Sequence, residues 1–446
     1  MRNELQQIGK EWLNNIPTHW KKERLKDVCE RVVGGGTPKS SISEYWDGGD
    51  IIWVSPTDFS AQNGNKFITE SAKKITKLGM QKSSATLIPK GTVVMSSRAS
   101  IGEPKIAGCD ITTNQGFVSY VPSFKIDSNF LFYLIEGQLG EYFANIASGT
   151  TFMEITRRQA KNEPIPLPPL PEQKAIADYL DKVCQRIDKI IDIKQKQLKK
   201  IEWYFFSRLD SILTCKNITN KNSRVFENFI KRDIPEDWTT DRLKDVAIIN
   251  DKALSSNTSP DYKFQYLDIS NVNKYGIVEI DNIKEMTFEE APSRARRVSR
   301  KHDTVLSSVR TNLQAVAFLE TDIENLICST GFFVCRPKFT CKLRPKFLYY
   351  FLLTAYSRDY FFSYSTGVSY PAINDYKFGS INIFYPKVAV QDQIIKQLDE
   401  LHKKVNENIE IVKKEIINFQ AYRKSIIHEC VTGKKQVWEG EIEKEN

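Results

Sequence analysis

Arg294 opens the densest cationic run in the chain, Arg294-Ala-Arg-Arg-Val-Ser-Arg-Lys301, which carries five cations in eight residues. Guanidinium groups such as those of Arg294, Arg296 and Arg297 suit phosphate oxygens and can fork onto the paired acceptors of a guanine edge. Two further sets combine the side chains that read guanine with those that read adenine: Arg310 with Asn312 and Gln314, and Arg98 with Asn114 and Gln115. Lys39 adds a cation just past a Gly34-Gly35-Gly36-Thr37-Pro38 turn. The plainer alternative stands beside each of these. The basic run is then a solvated loop balanced by Glu289 and Glu290, and any single amide or guanidinium caps a turn.

Other chemistry finds little support. The chain has no G-x-x-x-x-G-K-[ST] phosphate loop and no G-x-G-x-x-G turn after a strand. It also lacks the Asn-Pro-Pro or Asp-Pro-Pro plus aromatic loop with which amino-methyltransferases hold their target amine. The four histidines (19, 302, 402 and 428) are scattered, and the eight cysteines include no C-x-x-C pair and no histidine at zinc-ligand spacing. No catalytic residue, bound cofactor or metal site is expected, and the cysteines are expected to be buried reduced thiols.

The composition sets the class. With 41% hydrophobic, 11% aromatic and 27% charged residues the chain can bury substantial cores, and 446 residues exceed what one core covers, so at least two domains are expected. The net charge of +9 has the sign wanted for a polyanionic partner, although it is modest over this length. The start, MRNELQQIGKEW, lacks the apolar core of a signal peptide, and no stretch approaches the roughly 18 apolar residues of a membrane span. A cytoplasmic protein is expected.

The elements that must hold the polar groups are revealed by an internal repeat. Ile16-Pro17-Thr18-His19-Trp20 and Arg24-Leu25-Lys26-Asp27-Val28 return 218 residues later as Ile234-Pro235-Glu236-Asp237-Trp238 and Arg242-Leu243-Lys244-Asp245-Val246. The same offset carries Gly149, Ile155, Ile165, Pro168, Gln173, Ile176, Leu180 and Asp181 onto Gly367, Ile373, Ile383, Pro386, Gln391, Ile394, Leu398 and Asp399. Between these anchors the copies diverge, with Gly116-Phe117 matching Gly331-Phe332 and Phe130-Leu131-x-Tyr133 matching Phe347-Leu348-x-Tyr350. Constant ends around a variable middle describe one scaffold bearing two different surfaces.

Within each copy a mixed region comes first. Ile51-Ile52-Trp53-Val54, Thr92-Val93-Val94-Met95 and Gly116-Phe117-Val118 read as short buried strands, and helices are predicted near Phe130 to Ile146 and Pro345 to Tyr364. The prolines of Pro164-Ile-Pro-Leu-Pro-Pro-Leu-Pro171 forbid helix until Glu172. From Ile176 the stripe then runs in steps of three and four through Leu180, Val183, Ile187, Ile191, Lys194, Leu198, Ile201, Phe205 and Leu209 to Ile212. Every position recurs in the second copy, from Ile394 to Cys430, with Arg423 its one charged member. A helix of about 40 residues is a rod of roughly 60 Å, too long for a small domain to cover, so the two stripes should bury each other.

Taken together, Ile-Pro-x-x-Trp with Arg-Leu-Lys-Asp-Val, the GGTP turn at Pro38, Pro166-Leu-Pro-Pro-Leu-Pro-Glu-Gln173 opening a long helix, and the closing Val431-Thr432-Gly433-Lys434 resemble the specificity subunits of type I restriction-modification systems. The resemblance implies an α+β chain: two globular mixed α/β target-recognition domains separated by an antiparallel coiled coil of two long helices, related by an internal pseudo-twofold repeat. The expected boundaries are a first recognition domain at 1–171, spacer helix 1 at 172–217, a linker at 218–233, a second recognition domain at 234–389, spacer helix 2 at 390–435 and a tail at 436–446. The implied partners are double-stranded DNA, two methyltransferase subunits using S-adenosylmethionine to methylate adenine, and restriction subunits using ATP and magnesium. Those cofactors belong to the partners. The competing expectations are a stand-alone sequence-specific DNA-binding regulator, which would bind tightly without partners, and a methyltransferase with an unrecognised motor domain.

Overall fold

A computed structural model describes residues 13, 15–62, 64–148, 153–213, 223–226, 232–272, 278, 283–309, 315–320, 322–367 and 371–437. The chain divides into two compact units, Met1–Gln195 with Lys414–Asn446, and Lys196–Lys413.

The first unit opens with β1 (Lys21–Arg24) and β2 (Cys29–Gly34), followed by β3 (Ile51–Val54), β4 (Phe67–Ile68), β5 (Lys73–Ile75), β6 (Val93–Ser96), β7 (Pro104–Ala107), β8 (Thr112–Thr113) and β9 (Phe117–Pro122). These make a five-stranded sheet in the order β2-β9-β6-β7-β4 and a three-stranded sheet in the order β5-β3-β8, in which β3 and β8 run parallel. The strands at Ile51 to Val54, Val93 to Ser96 and Phe117 onward fall where the apolar runs place them. β6 and most of β9 are buried residue after residue, because side chains cover both faces. Helices α1 (Ser128–Leu134) and α2 (Gly140–Ile146) follow, joined by a π-helical turn at Ile135–Leu139. Then come α3 (Arg157–Asn162) and β10 (Pro164–Leu167), the latter antiparallel to β1.

The long helix α4 spans Leu170–Leu213, starting two residues before Glu172. That corrects the expected proline limit. Pro171 sits in the first turn, where the missing N–H would have had no partner, and the first helical bond runs from Gln173 N to Pro169 O at 3.0 Å. Residues 214–217 of the expected spacer helix lie outside the described residues.

The second unit has β11 (Ser223–Phe226), β12 (Arg232–Pro235), β13 (Thr239–Arg242), β14 (Ala247–Ile249), β15 (Lys263–Leu267), β16 (Lys284–Thr287), β17 (Ala295–Val298), β18 (Thr304–Ser307), β19 (Val316–Phe318), β20 (Leu326–Ser329) and β21 (Phe332–Pro337). Its sheets are ordered β14-β21-β18-β19 and β16-β15-β20-β17, and β15 runs parallel to β20. Apart from β4 in one unit and β17 in the other, the two orders match strand for strand, so the repeat persists through the region where the sequences diverge. Helices α5 (Pro345–Leu352) and α6 (Ala355–Tyr364), β22 (Asn382–Tyr385) antiparallel to β13, and the long α7 (Val388–Val431) complete the chain.

Inside each unit the long helices pair antiparallel. In the first, Lys194 meets Glu415 at 2.8 Å and Asp188 meets Arg423 at 3.0 Å, so numbers rise along α4 as they fall along α7. The two charges in the stripes are thereby neutralised at the edge of an apolar seam of Ile176, Leu180, Ile187 and Ile191 with Ile426, Ile427 and Cys430. In the second unit Phe205 packs with Val405, Ile409 and Leu401 and stacks on His402 at 5.1 Å. Cys29, Cys184, Cys328 and Cys335 are buried thiols, and burial pushes those of Cys29, Cys184 and Cys328 up to about 12. Among the described residues no helix is long and apolar enough to cross a membrane.

Candidate nucleic-acid interface

The parallel strands β3 and β8 end side by side, and β6 ends close to them, so their loops gather at one edge of the first unit. Backbone bonds tie these loops together: Gly36 N to Thr113 O at 2.8 Å, Asn114 N to Val54 O at 2.9 Å, Ser97 N to Gly116 O at 2.8 Å and Ile155 N to Ser97 O at 3.1 Å. The glycines of the GGTP turn are required by this closeness. A Cβ on Gly35 would lie 1.9 Å from Asn114 O, and one on Gly36 would lie 2.3 Å from Ser84 Oγ.

Three of the four candidates in this unit come together here. Arg98 is exposed and ion-paired to Glu154 at 3.0 Å, beside a left-handed turn at Ala99 (φ 58°). Asn114 Oδ1 accepts from Gly116 N at 2.8 Å and so holds the turn. Gln115 Oε1 accepts from the Thr37 hydroxyl. Lys39, the fourth, is exposed just beyond the turn, and its carbonyl accepts from Trp46 Nε1 at 3.2 Å.

The second unit builds the same edge from β15, β18 and β20. Ser308 N donates to Gly331 O at 2.7 Å and Ile373 N to Ser308 O at 3.0 Å, repeating the bonds of Ser97 and Ile155. The backbone bridge between Arg98 and Glu154 recurs between Val309 and Ala372, so an ion pair in one unit is replaced by apolar side chains in the other. Arg310, Asn312 and Gln314 lie outside the described residues.

Only the middle of the basic run is strand: Ala295–Val298 forms the added β17 against β20, with a bulge between Ala295 and Arg297, while Arg294, Arg300 and Lys301 lie outside it on either side. Its arginines have partners other than Glu289 and Glu290. Arg294 reaches Asp268 at 2.7 Å and the Tyr266 hydroxyl at 3.1 Å, and Glu290 instead accepts from Thr287. Burial pushes the Asp268 carboxyl up, but its bonds from Arg294 and Tyr266 outweigh this and hold it below the usual range. Arg296 lies 4.3 Å from the centre of the Phe288 ring. Arg297 is half-buried, donates weakly to Thr330 O at 3.5 Å, and has a buried Nε without a hydrogen-bond partner. Burial lowers its basicity. Thr330 N in turn donates to Arg294 O at 2.7 Å, so Arg294 and Arg297 converge on the loop after β20, whereas Arg296 does not join them.

Several residues of this edge escape sequence reasoning. Glu154, Tyr266 and Asp268 are partners supplied by distant segments. Arg157 and Arg158 are exposed cations at the start of α3, three and four residues beyond Glu154. Their signal was available, since Thr156-x-x-Gln159 is a capping box that starts a helix directly after the repeat anchor Ile155. Among the described residues no group of three or more histidine, cysteine or carboxylate side chains is arranged to hold a metal ion.

The family model for the type I restriction modification DNA specificity domain matches the sequence twice, over residues 17–203 and 235–418. The chain is 34% identical over 238 residues to the type I restriction enzyme MjaIX specificity subunit of Methanocaldococcus jannaschii, an alignment covering 52% of this chain and 53% of that protein. It is 26% identical over 323 residues to the MjaVIII specificity subunit of the same organism, covering 70% and 71%. Thus the chain spans only about half the length of the first of these relatives. Among solved structures it superposes with a TM-score of 0.66 and 18% identity on a chain from work titled "Structural basis underlying complex assembly and conformational transition of the type I R-M system", covering 94% of this chain and 100% of that one. At that identity the likeness concerns the fold.

Proposed function

The chain belongs to the type I restriction modification DNA specificity family, whose model matches most of its length in two copies, and we propose that it is the subunit through which such a complex reads a bipartite, asymmetric DNA site. The observation that carries this is the duplicated loop edge: the same strand order and backbone bonds present different side chains in the two units. One scaffold with two unlike reading edges fits two unlike half-sites.

The segments 1–171 and 234–389 act as the two target-recognition domains, and 172–217 and 390–435 as the spacer helices. Lys39, Arg98, Asn114, Gln115, Arg294, Arg296, Arg297, Arg310, Asn312 and Gln314 contact DNA, with Arg157 and Arg158 as further phosphate ligands. Arginines serve phosphates and guanine, and the amides serve adenine. Arg98 exchanges Glu154 for DNA on binding. The chain carries no catalytic centre and acts in the cytoplasm. Two methyltransferase subunits supply S-adenosylmethionine and adenine methylation, and restriction subunits supply ATP- and magnesium-dependent cleavage. Exposed apolar side chains on the long helices, Ile193 and Ile417 in the first unit and Trp203 and Ile411 in the second, support docking of helical partner surfaces.

The test is to express the chain with its methyltransferase partner and map the methylated adenines across the host genome. An interrupted motif with two different halves is expected. A continuous or palindromic motif overturns the proposal, as does tight site-specific binding by the chain alone with no effect of a partner, which is the behaviour of a regulator.

A further inference from the structure

Asp181 on α4 accepts from the Tyr133 hydroxyl of α1 and from Lys66 Nζ, each at 2.5 Å. Asp399 on α7 accepts from the Tyr350 hydroxyl of α5 at 2.6 Å and from Lys346 Nζ at 3.0 Å. The tyrosines and aspartates are equivalent in the repeat, but the lysines are not. Lys66 precedes β4, whereas Lys346 lies in the first turn of α5, where the first copy has Asn129. Two unrelated chain positions therefore bring the same charge to equivalent carboxylates.

Each lysine is prepared for this role. Lys66 is held over the rings of Tyr133 and Phe132 at 4.6 and 5.2 Å. The turn before it is fastened by the buried Lys105, whose Nζ donates to Gln62 O and Asn65 O at 2.7 Å each. Lys346 also binds Glu320 at 2.5 Å and lies 5.7 Å from the Phe318 ring centre. Both clasps border clefts, of about 1090 Å³ beside Lys66 and Asp181 and about 370 Å³ beside Lys346. Where close packing is interrupted, directed polar bonds resist rotation of one element on another. An ion pair that is partly exposed adds little to stability, so the recurrence of these two points to geometry.

We infer that Lys66 and Lys346 are positioning residues that fix the angle of each recognition domain on its own long helix, and so set how strictly the subunit measures the spacing between half-sites. This rests on the function proposed above. The test uses the full chain assembled with its methyltransferase subunits and duplexes carrying the mapped site with its native spacer or one base pair more or fewer. Methyl transfer is measured as the ratio of native to altered spacing. Lys66→Met and Lys346→Met are each expected to lower that ratio by about tenfold, because positioning errors of this kind are costly in the cognate geometry. Lys66→Arg and Lys346→Arg should retain it. Tyr133→Phe keeps the ring, loses only the hydroxyl, and should lower the ratio in the same direction. A general loss of activity with an unchanged ratio overturns the inference. A wild-type complex indifferent to spacing overturns the functional proposal together with it, whereas a spacing-sensitive wild type whose variants keep the ratio overturns the clasp alone.

Discussion

Gln173 and Gln391 each make three hydrogen bonds from a fully buried position. Gln173 Nε2 donates to Pro168 O and Lys125 O, and Oε1 accepts from Asp127 N; Gln391 Nε2 donates to Pro386 O and Lys342 O, and Oε1 accepts from Arg344 N. Each side chain fastens the start of a long helix to the loop before the domain's helix. Replacing either by leucine strands one N–H and two carbonyls in the interior, so Gln173→Leu is expected to cost about 2–4 kcal/mol. Denaturant unfolding would check this, and a loss below about 0.5 kcal/mol would show that water replaces the amide. The pairing of these glutamines is legible in the sequence, because both stand at the constant offset. The partners of the arginines are not, since Asp268 lies 26 residues from Arg294 and Glu154 lies 56 from Arg98, and only the fold brings them near. Arg297 differs from its neighbours in having an unmet buried donor at the reading edge. Arg297→Ala should therefore weaken binding to the mapped site by about 1–3 kcal/mol and relax base preference in one half-site only. Arg296→Ala, which loses a stack on Phe288, should leave base preference intact. Competition binding with single-base variants of the site distinguishes them, and a uniform loss across all sequences from Arg297→Ala would reduce it to a phosphate contact.

At the scale of elements, apolar runs and three-four periodicity locate strands and long helices because these depend on local pattern. They do not show how a helix ends. The segments aligned at Phe130 and Phe347 begin alike, but the first continues through a π-helical turn at Ile135–Leu139 and the second breaks after Leu352 and restarts at Ala355. The difference follows from the groups that cap the second helix. Thr354 caps α6 by accepting from Ser357 N at 3.3 Å, and Asp210 of α4 accepts from Ala355 N at 2.9 Å, whereas the aligned Gly137 has no side-chain oxygen with which to start a new helix. The end of α7 illustrates the opposite case, in which the stop is written in the sequence. Gly433 has φ +75°, two residues past the last helical position, and a Cβ there would lie 2.3 Å from Pro17 Cδ. Gly433→Ala should then destabilise the first unit by about 1–3 kcal/mol, combining left-handed strain with a clash against a rigid ring. Limited proteolysis would show the effect as faster cleavage within residues 15–195, with the second unit unchanged. Equal sensitivity in both units would mean that the tail does not belong to the first unit's stability.

For the whole molecule, the offset of 218 makes the duplication plain, yet it does not reveal that each compact unit borrows from both long helices. The second unit's core joins Leu209 and Leu213 of α4 with Ile394 and Leu398 of α7 around Trp238, Phe347, Leu348 and Tyr350. Segments distant in sequence meet there, so no local pattern announces the union. This has a consequence for exchanging one recognition domain. Replacing residues 234–389 by the equivalent segment of another family member should change one half of the methylated site and leave the other half unaltered, because, among the described residues, every strand of the first unit's sheets comes from 21–167. The graft must meet the helices it inherits. Donors that keep an aromatic at position 347 and a tyrosine at 350 can bury against Leu398 and bond Asp399, and these should assemble with the methyltransferase at near native yield. Donors with a small residue at 347 leave a cavity beside Trp238 worth about 3–5 kcal/mol, enough to unfold a marginal unit. Methylation mapping of several such chimeras is the measurement. If both halves of the motif change in a well-folded chimera, the two edges do not read independently, and the division of labour drawn from the duplicated loops is wrong.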